Sequence, residues 1–82
     1  MAFHKALVAH GAGEHATAVA LYKAAITAEP RHAAAAHSNV GAIYSAAARW
    51  EEATYHSSVA AELAPQEADV LYNLANVLGQ VS

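Results

Sequence analysis

The chain repeats itself at an interval of 34–35 residues, and this interval restricts the possible folds more than any other feature. Pro30 and Pro65 stand 35 residues apart, and each closes an alanine-rich stretch. The next copy follows after 34 residues, with Asn73 in the place of Asn39. Intervals of this length are typical of repeat proteins, in which each repeat is a small structural unit that stacks on its neighbours.

Within each copy, the residue pattern predicts two α-helices. Apolar residues recur at i, i+3, i+4 and i+7, a spacing that places them on one face of a helix. The set in the second copy is Val40, Ile43, Tyr44 and Ala47. Hydrophobic residues make up 56% of the chain and aromatic residues only 7%, because most of the apolar residues are alanine, the strongest helix former. The sequence therefore predicts an all-α protein with five helices, at about residues 2–11, 14–28, 33–47, 50–63 and 67–81.

Small residues recur in register at the points where paired helices are expected to cross. A small side chain lets two helix backbones approach at the short end of the usual range of roughly 8–10 Å. The positions are Ala6, Gly41 and Ala75 in the first helices, and Ala18 and Ala53 in the second helices. We therefore expect one domain over residues 1–82, with repeats at about 1–32 and 33–66 and a half repeat at 67–82.

Composition and charge exclude several classes of function. The net charge is −3, and the four basic residues lie far apart, so no basic stripe is available to neutralise phosphates. We expect no nucleic-acid partner. The chain has no cysteine, which excludes a disulfide framework and a thiolate metal site. No secretory signal follows the N-terminus and no stretch approaches the ~20 apolar residues that span a bilayer, so we expect a soluble, cytoplasmic protein without a membrane partner.

Residues that could carry catalysis or bind a metal ion are not spaced as such chemistry requires. Two histidines on one helix share a metal ion when they are three or four residues apart. His10 and His15 are five apart, as are His32 and His37, and His56 has no partner at ligand spacing. The adjacent glutamates point to different helix faces, and no nucleophile elbow or phosphate-binding loop is present. We therefore expect no metal, no cofactor and no enzymatic activity.

The repeats resemble the tetratricopeptide repeat. In that pattern a small residue follows an aliphatic one, an aromatic residue comes three positions later, alanines occupy the contacts of the second helix, and a proline closes the unit. The matching residues are Val40, Gly41, Tyr44, Ala53, Ala60 and Pro65 in the second copy, Leu74, Ala75 and Leu78 in the third, and Ala6, Ala18, Tyr22, Ala25 and Pro30 in the first. Lys5 departs from the pattern, which has an aliphatic residue there, and Ser57 stands in the place of Tyr22.

This resemblance implies a right-handed α-solenoid of two and a half repeats, with a concave groove that holds a peptide or a partner's helix. The stretches around Asn39 and Asn73 are most similar to the repeats of O-linked N-acetylglucosamine transferase, in which asparagines one repeat apart bond the backbone of a bound peptide. The alternative, that Asn39 and Asn73 cap or brace neighbouring helices, stays open. The register adds as groove neighbours Ser38, Ala42, Ser45, Asp69, Tyr72, Asn76 and Gln80.

The sequence thus predicts a protein-interaction scaffold that binds a peptide or partner helix. Chaperone-binding members of the family clamp acidic tails with lysine and arginine, and these are missing from the matching places here, so we expect no binding of such tails. Two alternatives stay open. One is a substrate-presenting repeat segment excised from a larger enzyme such as a glycosyltransferase, which the end half-way through a repeat favours. The other is a structural homo-oligomer.

The last helix carries more apolar surface than one neighbouring hairpin is expected to cover. Uncovered patches of this kind mark interaction sites. The residues concerned are Leu71, Leu74, Val77, Leu78 and Val81. We therefore expect self-association through the terminal helices, with a dimer as the simplest closed arrangement.

Overall fold

The computed structural model describes residues 1–81, and this part of the chain is helical without any β-strand. The helices are α1 (Ala2–Gly11), α2 (His15–Ala28), α3 (Ala33–Ala46), α4 (Trp50–Leu63) and α5 (Ala68–Val81). A short 3₁₀ turn at Pro30–His32 precedes α3 and accommodates the extra residue of the first repeat. The five predicted helices are confirmed, with bounds that agree to within one residue at each end.

Consecutive helices pack against one another along the whole described chain. The pairs α1–α2 and α3–α4 are hairpins joined by short turns, while α2 also packs on α3 and α4 on α5. In addition, α3 contacts α5, so the first helix of the second repeat lies beside the first helix of the third. The molecule measures 35 × 25 × 17 Å. No described helix has the length and apolar character that crossing a membrane requires.

The two hairpin turns have the same backbone geometry at corresponding positions. After α1, Gly13 has a φ of 79°, and after α3, Ala48 has a φ of 59°. In each turn the next amide donates to the carbonyl five residues earlier, from Glu14 to Ala9 and from Arg49 to Tyr44, both at 2.9 Å. This is a Schellman-type helix end, which favours glycine at the left-handed position. The second turn therefore forms with an alanine in a conformation that disfavours it.

The helix crossings are built from small residues, as the sequence predicts. Ala6, Ala18 and Ala53 are completely buried, and Gly41 is buried against α4. A Cβ atom at position 41 would overlap the Ser57 hydroxyl and lie 3.2 Å from the carbonyl oxygen of Ala53. The α3 and α4 backbones therefore touch with almost nothing between them.

The core that unites the first three helices consists of four alanines and three larger side chains, of which Tyr22 is the largest. Tyr22 is completely buried in α2, and Phe3 packs on it with ring centroids 5.9 Å apart. The buried residues of this core are Ala6, Ala9, Ala18, Tyr22, Ala36, Val40 and Ile43. Because alanines bury little area each, stability here depends on how closely the helices approach.

On α5, two predictions are wrong, namely the burial of Ala75 and the exposure of Leu74 and Val77. Ala75 is exposed rather than buried at a crossing, because no further described helix packs on that side. Val77 is buried, and Leu74 is half-buried, so neither belongs to an open apolar surface. Leu71 and Leu78 do remain exposed. The side chain of Val81 lies outside the described residues.

The strained alanine in the second turn gives a direct test of the fold. We expect Ala48→Gly to raise the free energy of unfolding by about 0.5–1 kcal/mol, because glycine adopts a positive φ without steric cost and this gain exceeds its larger unfolded-state entropy. Urea denaturation followed by circular dichroism measures the change. Gly13→Ala is the matched reverse substitution and should lower the stability by a similar amount. Destabilisation by Ala48→Gly would contradict the left-handed geometry.

Candidate functional site

Two clefts run along the seam where α3 and α5 lie side by side. The first, of about 560 Å³, opens between the N-terminal turns of α3 and α5 and the end of α4. Its lining consists of Pro30, Arg31, Ala33, Ala34, Ala35, Ser38, Asn39, Leu63, Ala64, Glu67, Asp69, Val70 and Asn73. The second, of about 410 Å³, lies further along and is lined by Ala42, Ser45, Ala46, Asn73, Asn76, Val77 and Gln80. Asn73 lines both, so the two clefts form one groove, which we call the α3–α5 groove.

The structure brings most of the sequence-predicted site residues to this groove. Ser38, Asn39 and Asn73 line the first cleft, and Ala42, Asn73 and Asn76 line the second. Tyr72 is different, since it lines neither cleft and its side chain is 68% exposed on α5. The groove neighbours Ser45, Asp69 and Gln80 also lie where the register places them.

Asn73 is held by a hydrogen bond across the groove floor. Its Nδ2 donates to the Ser38 Oγ at 2.7 Å, and Ser38 is buried. This bond joins α5 to α3 directly. Among the described residues Asn73 makes no other side-chain hydrogen bond, so its second N–H and its carbonyl oxygen are available at the groove surface.

Asn39 is held in a similar way by Tyr22 of α2. Its Nδ2 donates to the Tyr22 Oη at 3.3 Å, and His10 Nδ1 lies 3.0 Å from the same oxygen. Burial raises the pKa of Tyr22, while the bond from Asn39 lowers it to a smaller extent. The phenol therefore keeps its proton at neutral pH and can donate it to His10. This chain of contacts connects α1, α2 and α3.

A histidine pair joins α3 to α4 next to the groove helix. His37 and His56 have their Nδ1 atoms 3.0 Å apart, and His37 is buried. Such a bond needs one nitrogen to carry a proton and the other to accept it. The Tyr44 ring stacks on His56 with centroids 5.8 Å apart, and the Tyr55 ring meets it edge-on at 5.0 Å. His56 is therefore in contact with three aromatic rings, those of His37, Tyr44 and Tyr55.

The surroundings of this pair disfavour protonation of either imidazole. Burial lowers the pKa of His37. The pKa of His56 is lowered by burial first and then by the charges of His37 and Lys23, while Glu52 opposes the shift. Lys23 comes from α2, 5.9 Å from the Tyr44 ring centroid, so a cation of a third helix faces the pair.

The His37–His56 contact was missed at the sequence level because spacing along one helix was the criterion used there. The contact spans 19 residues across the α3–α4 hairpin. The crossing of Gly41 with Ala53 contained the necessary signal, since an antiparallel hairpin then places His37, one turn before Gly41, beside the turn that follows Ala53. Within the described part of the chain, no three histidine, cysteine, aspartate or glutamate side chains come together as ligands for a metal ion.

Comparison with known proteins gives no family for this chain. No protein-family model matches it, and no curated protein matches it either.

The histidine pair predicts a pH dependence of stability. Both folded-state pKa values lie below the ordinary value of 6.5, so the unfolded chain takes up protons first as the pH falls. Stability is then fully present above about pH 6.5 and is lost as the pH falls towards the folded-state pKa values. Urea denaturation between pH 8 and pH 5 should show this loss.

A matched pair of variants assigns the effect to these residues. His56→Gln removes one titrating group and its partner contact, so we expect a smaller loss of stability between pH 7 and pH 5. His4→Gln replaces an exposed histidine of α1 and should leave the dependence as it is in the unsubstituted chain. An unchanged slope in His56→Gln would contradict the assignment.

Proposed function

We propose that the chain is a protein-interaction module of the tetratricopeptide type, a right-handed solenoid without catalysis of its own, that binds an extended peptide in the α3–α5 groove. The observation that carries the proposal is the position of Asn73. It stands where the two clefts meet, one repeat after Asn39, with part of its amide turned to the groove.

An amide side chain suits the recognition of a peptide backbone. A backbone presents N–H donors and C=O acceptors, and asparagine offers one group of each kind. Asn39 and Asn73 each use one N–H to contact a described residue, which leaves the second N–H and the carbonyl oxygen for a ligand. Contacts of this kind grip a peptide without demanding a particular sequence.

Asn39 and Asn73 can brace neighbouring helices and bind a peptide at the same time. The bonds to Tyr22 and Ser38 brace the helices, and they also hold each asparagine in one rotamer before any peptide arrives. A side chain that is already ordered loses less entropy on binding, a saving of roughly 0.5–1.5 kcal/mol for each immobilised side chain. Bracing therefore prepares the groove for its ligand.

The remaining lining defines what kind of peptide fits. Alanine is the most frequent residue of the lining, and beside these small side chains a peptide backbone can approach the groove closely. The charged residues of the first cleft are Arg31, Glu67 and Asp69, a balance that is slightly acidic. The groove therefore favours a neutral or basic extended segment over an acidic tail.

Peptide selection followed by direct binding measurements tests the proposal. We expect a displayed library of unbiased peptides to yield ligands, and the double substitution Asn39→Ala, Asn73→Ala to weaken the selected peptides about tenfold. The estimate follows from two lost hydrogen bonds worth roughly 0.5–1.5 kcal/mol each. Fluorescence anisotropy with the labelled peptide gives the affinity.

Two further variants separate loss of the groove from loss of the fold. Gln66→Ala removes an exposed amide from the turn before α5, outside both clefts, and should leave the affinity unchanged. Ala42→Glu adds bulk and charge to the second cleft without removing a hydrogen bond, and should also weaken binding. Helical circular dichroism must be retained in each variant. The absence of any selected peptide, or full affinity in both groove variants, would refute the proposal.

A further inference from the structure

A third cleft, of about 410 Å³, lies between the first turns of α2 and the last turns of α3. Most of its lining is apolar, and Ile43 is buried. The apolar residues are Ala16, Val19, Ile43, Ala46 and Ala47. Small-molecule sites have volumes of about 300–1,000 Å³ and combine apolar walls with a few polar groups, as this cleft does. We call it the α2–α3 cleft.

Two cations meet beside this cleft at the ring of Tyr44, which is part of its lining. The guanidinium carbon of Arg49 lies 5.5 Å from the ring centroid, and the ammonium of Lys23 lies 5.9 Å from it. Lys23 follows Val19 by four residues, so it continues the face of α2 that lines the cleft. Folding therefore gathers two of the four basic residues at one edge of an apolar cleft, although the net charge of the chain is −3.

Arg49 keeps hydrogen-bonding capacity for a ligand, although it is already paired with Glu52. Its Nη2 donates to Oε2 of Glu52 at 2.6 Å, and a guanidinium has five N–H groups in all. Within residues 1–81 the Arg49 side chain makes no other hydrogen bond, and it is 59% exposed. The contacts with Tyr44 and Glu52 hold the guanidinium at the cleft edge, which reduces the entropy lost on binding. With Lys23 included, two cations and one anion leave a single positive charge for a ligand to neutralise.

We propose that the α2–α3 cleft binds a small apolar carboxylic acid in its ionised form. The apolar body lies against Val19 and Ile43, and the carboxylate accepts hydrogen bonds from the free N–H groups of Arg49. Arginine suits this role because its planar fork matches the two oxygens of a carboxylate. Removal of the apolar body from water drives binding, and the guanidinium fixes its orientation.

Other classes of ligand match this cleft less well. An organic cation would be repelled by Arg49 and Lys23. A peptide backbone requires donors and acceptors, but the lining has no amide side chain, and its polar side chains are those of His15, Tyr44 and Arg49. The α3–α5 groove does have such amides, and the two linings have only Ala46 in common. The two sites therefore select different ligands.

An NMR titration of the ¹⁵N-labelled chain with three ligands of similar size tests the proposal. The ligands are 4-phenylbutyrate, its primary amide and 4-phenylbutylamine. We expect the acid to bind with a dissociation constant on the order of 1 mM, typical of a ligand with about twelve non-hydrogen atoms. The backbone amide signals of Val19 and Ile43 should shift, and those of Asn39 and Asn73 should not. The neutral amide should bind about tenfold more weakly because it lacks the charge that Arg49 recognises, and the amine should not bind.

The same replacement at two charged residues gives opposite predictions. Arg49→Gln removes the fork and should weaken binding of the acid about tenfold. Glu52→Gln removes the competing carboxylate and should strengthen binding by about twofold to fivefold, the range of a surface charge interaction. Ala16→Leu fills the cleft and should also weaken binding, whereas Ala24→Leu adds the same side chain to an exposed position of α2 outside the cleft and should not. Each variant must retain the helical circular dichroism of the unsubstituted chain.

The absence of any shift with 4-phenylbutyrate at about 10 mM, ten times the expected dissociation constant, would overturn the proposal. Equal affinities for the acid and its amide, shifts confined to the α3–α5 groove, or full affinity in Arg49→Gln would overturn it as well. The variants leave the hydrogen bonds of Asn39 and Asn73 in place, and neither asparagine lines the α2–α3 cleft. This proposal and the peptide-binding function can therefore fail separately.

Discussion

Gly41 lies against Ala53 and Ser57 without space for a Cβ atom, so α3 and α4 meet backbone to backbone. The other features depend on this close approach. An alanine-rich chain buries little apolar area in each side chain, and dispersion contacts weaken steeply when a gap opens. Small residues at the crossings allow the helices of this chain to pack closely, although it has few large apolar side chains.

The same contact positions the two polar arrangements beside it. One turn before Gly41, His37 reaches His56 across the hairpin, and the adjacent Ser38 faces the other way, towards Asn73 of α5. The helix α3 therefore contacts α4 on one side and lines the α3–α5 groove on another. A change in how α3 packs on α4 would also move the groove wall, because one rigid helix makes both sets of contacts.

Much of the fold follows from local sequence, and the exceptions have physical causes. Apolar spacing and alanine content predict the five helices, and the repeat interval predicts the buried positions of Ala6 and Ala53. The left-handed conformation of Ala48 was not predicted, because the turn is set by the hairpin it closes rather than by the residue. Ala75 was expected to be buried, but sequence register does not tell whether a helix lies opposite. The register of the repeats predicts that Asn39, Asn73 and Asn76 share one side of the helices, and all three line the α3–α5 groove.

The most direct measurement of the close approach compares one substitution at two glycines by urea denaturation. Gly79 lies in the last turn of α5 with nothing within 4 Å of an added Cβ atom. Gly79→Ala should therefore stabilise the fold by up to about 0.5 kcal/mol through helix propensity. Gly41→Ala gains the same propensity but must displace Ser57 and the α4 backbone, so the account predicts a net loss of about 1 kcal/mol or more. Equal stabilisation by both substitutions would show that α3 and α4 do not meet at Gly41.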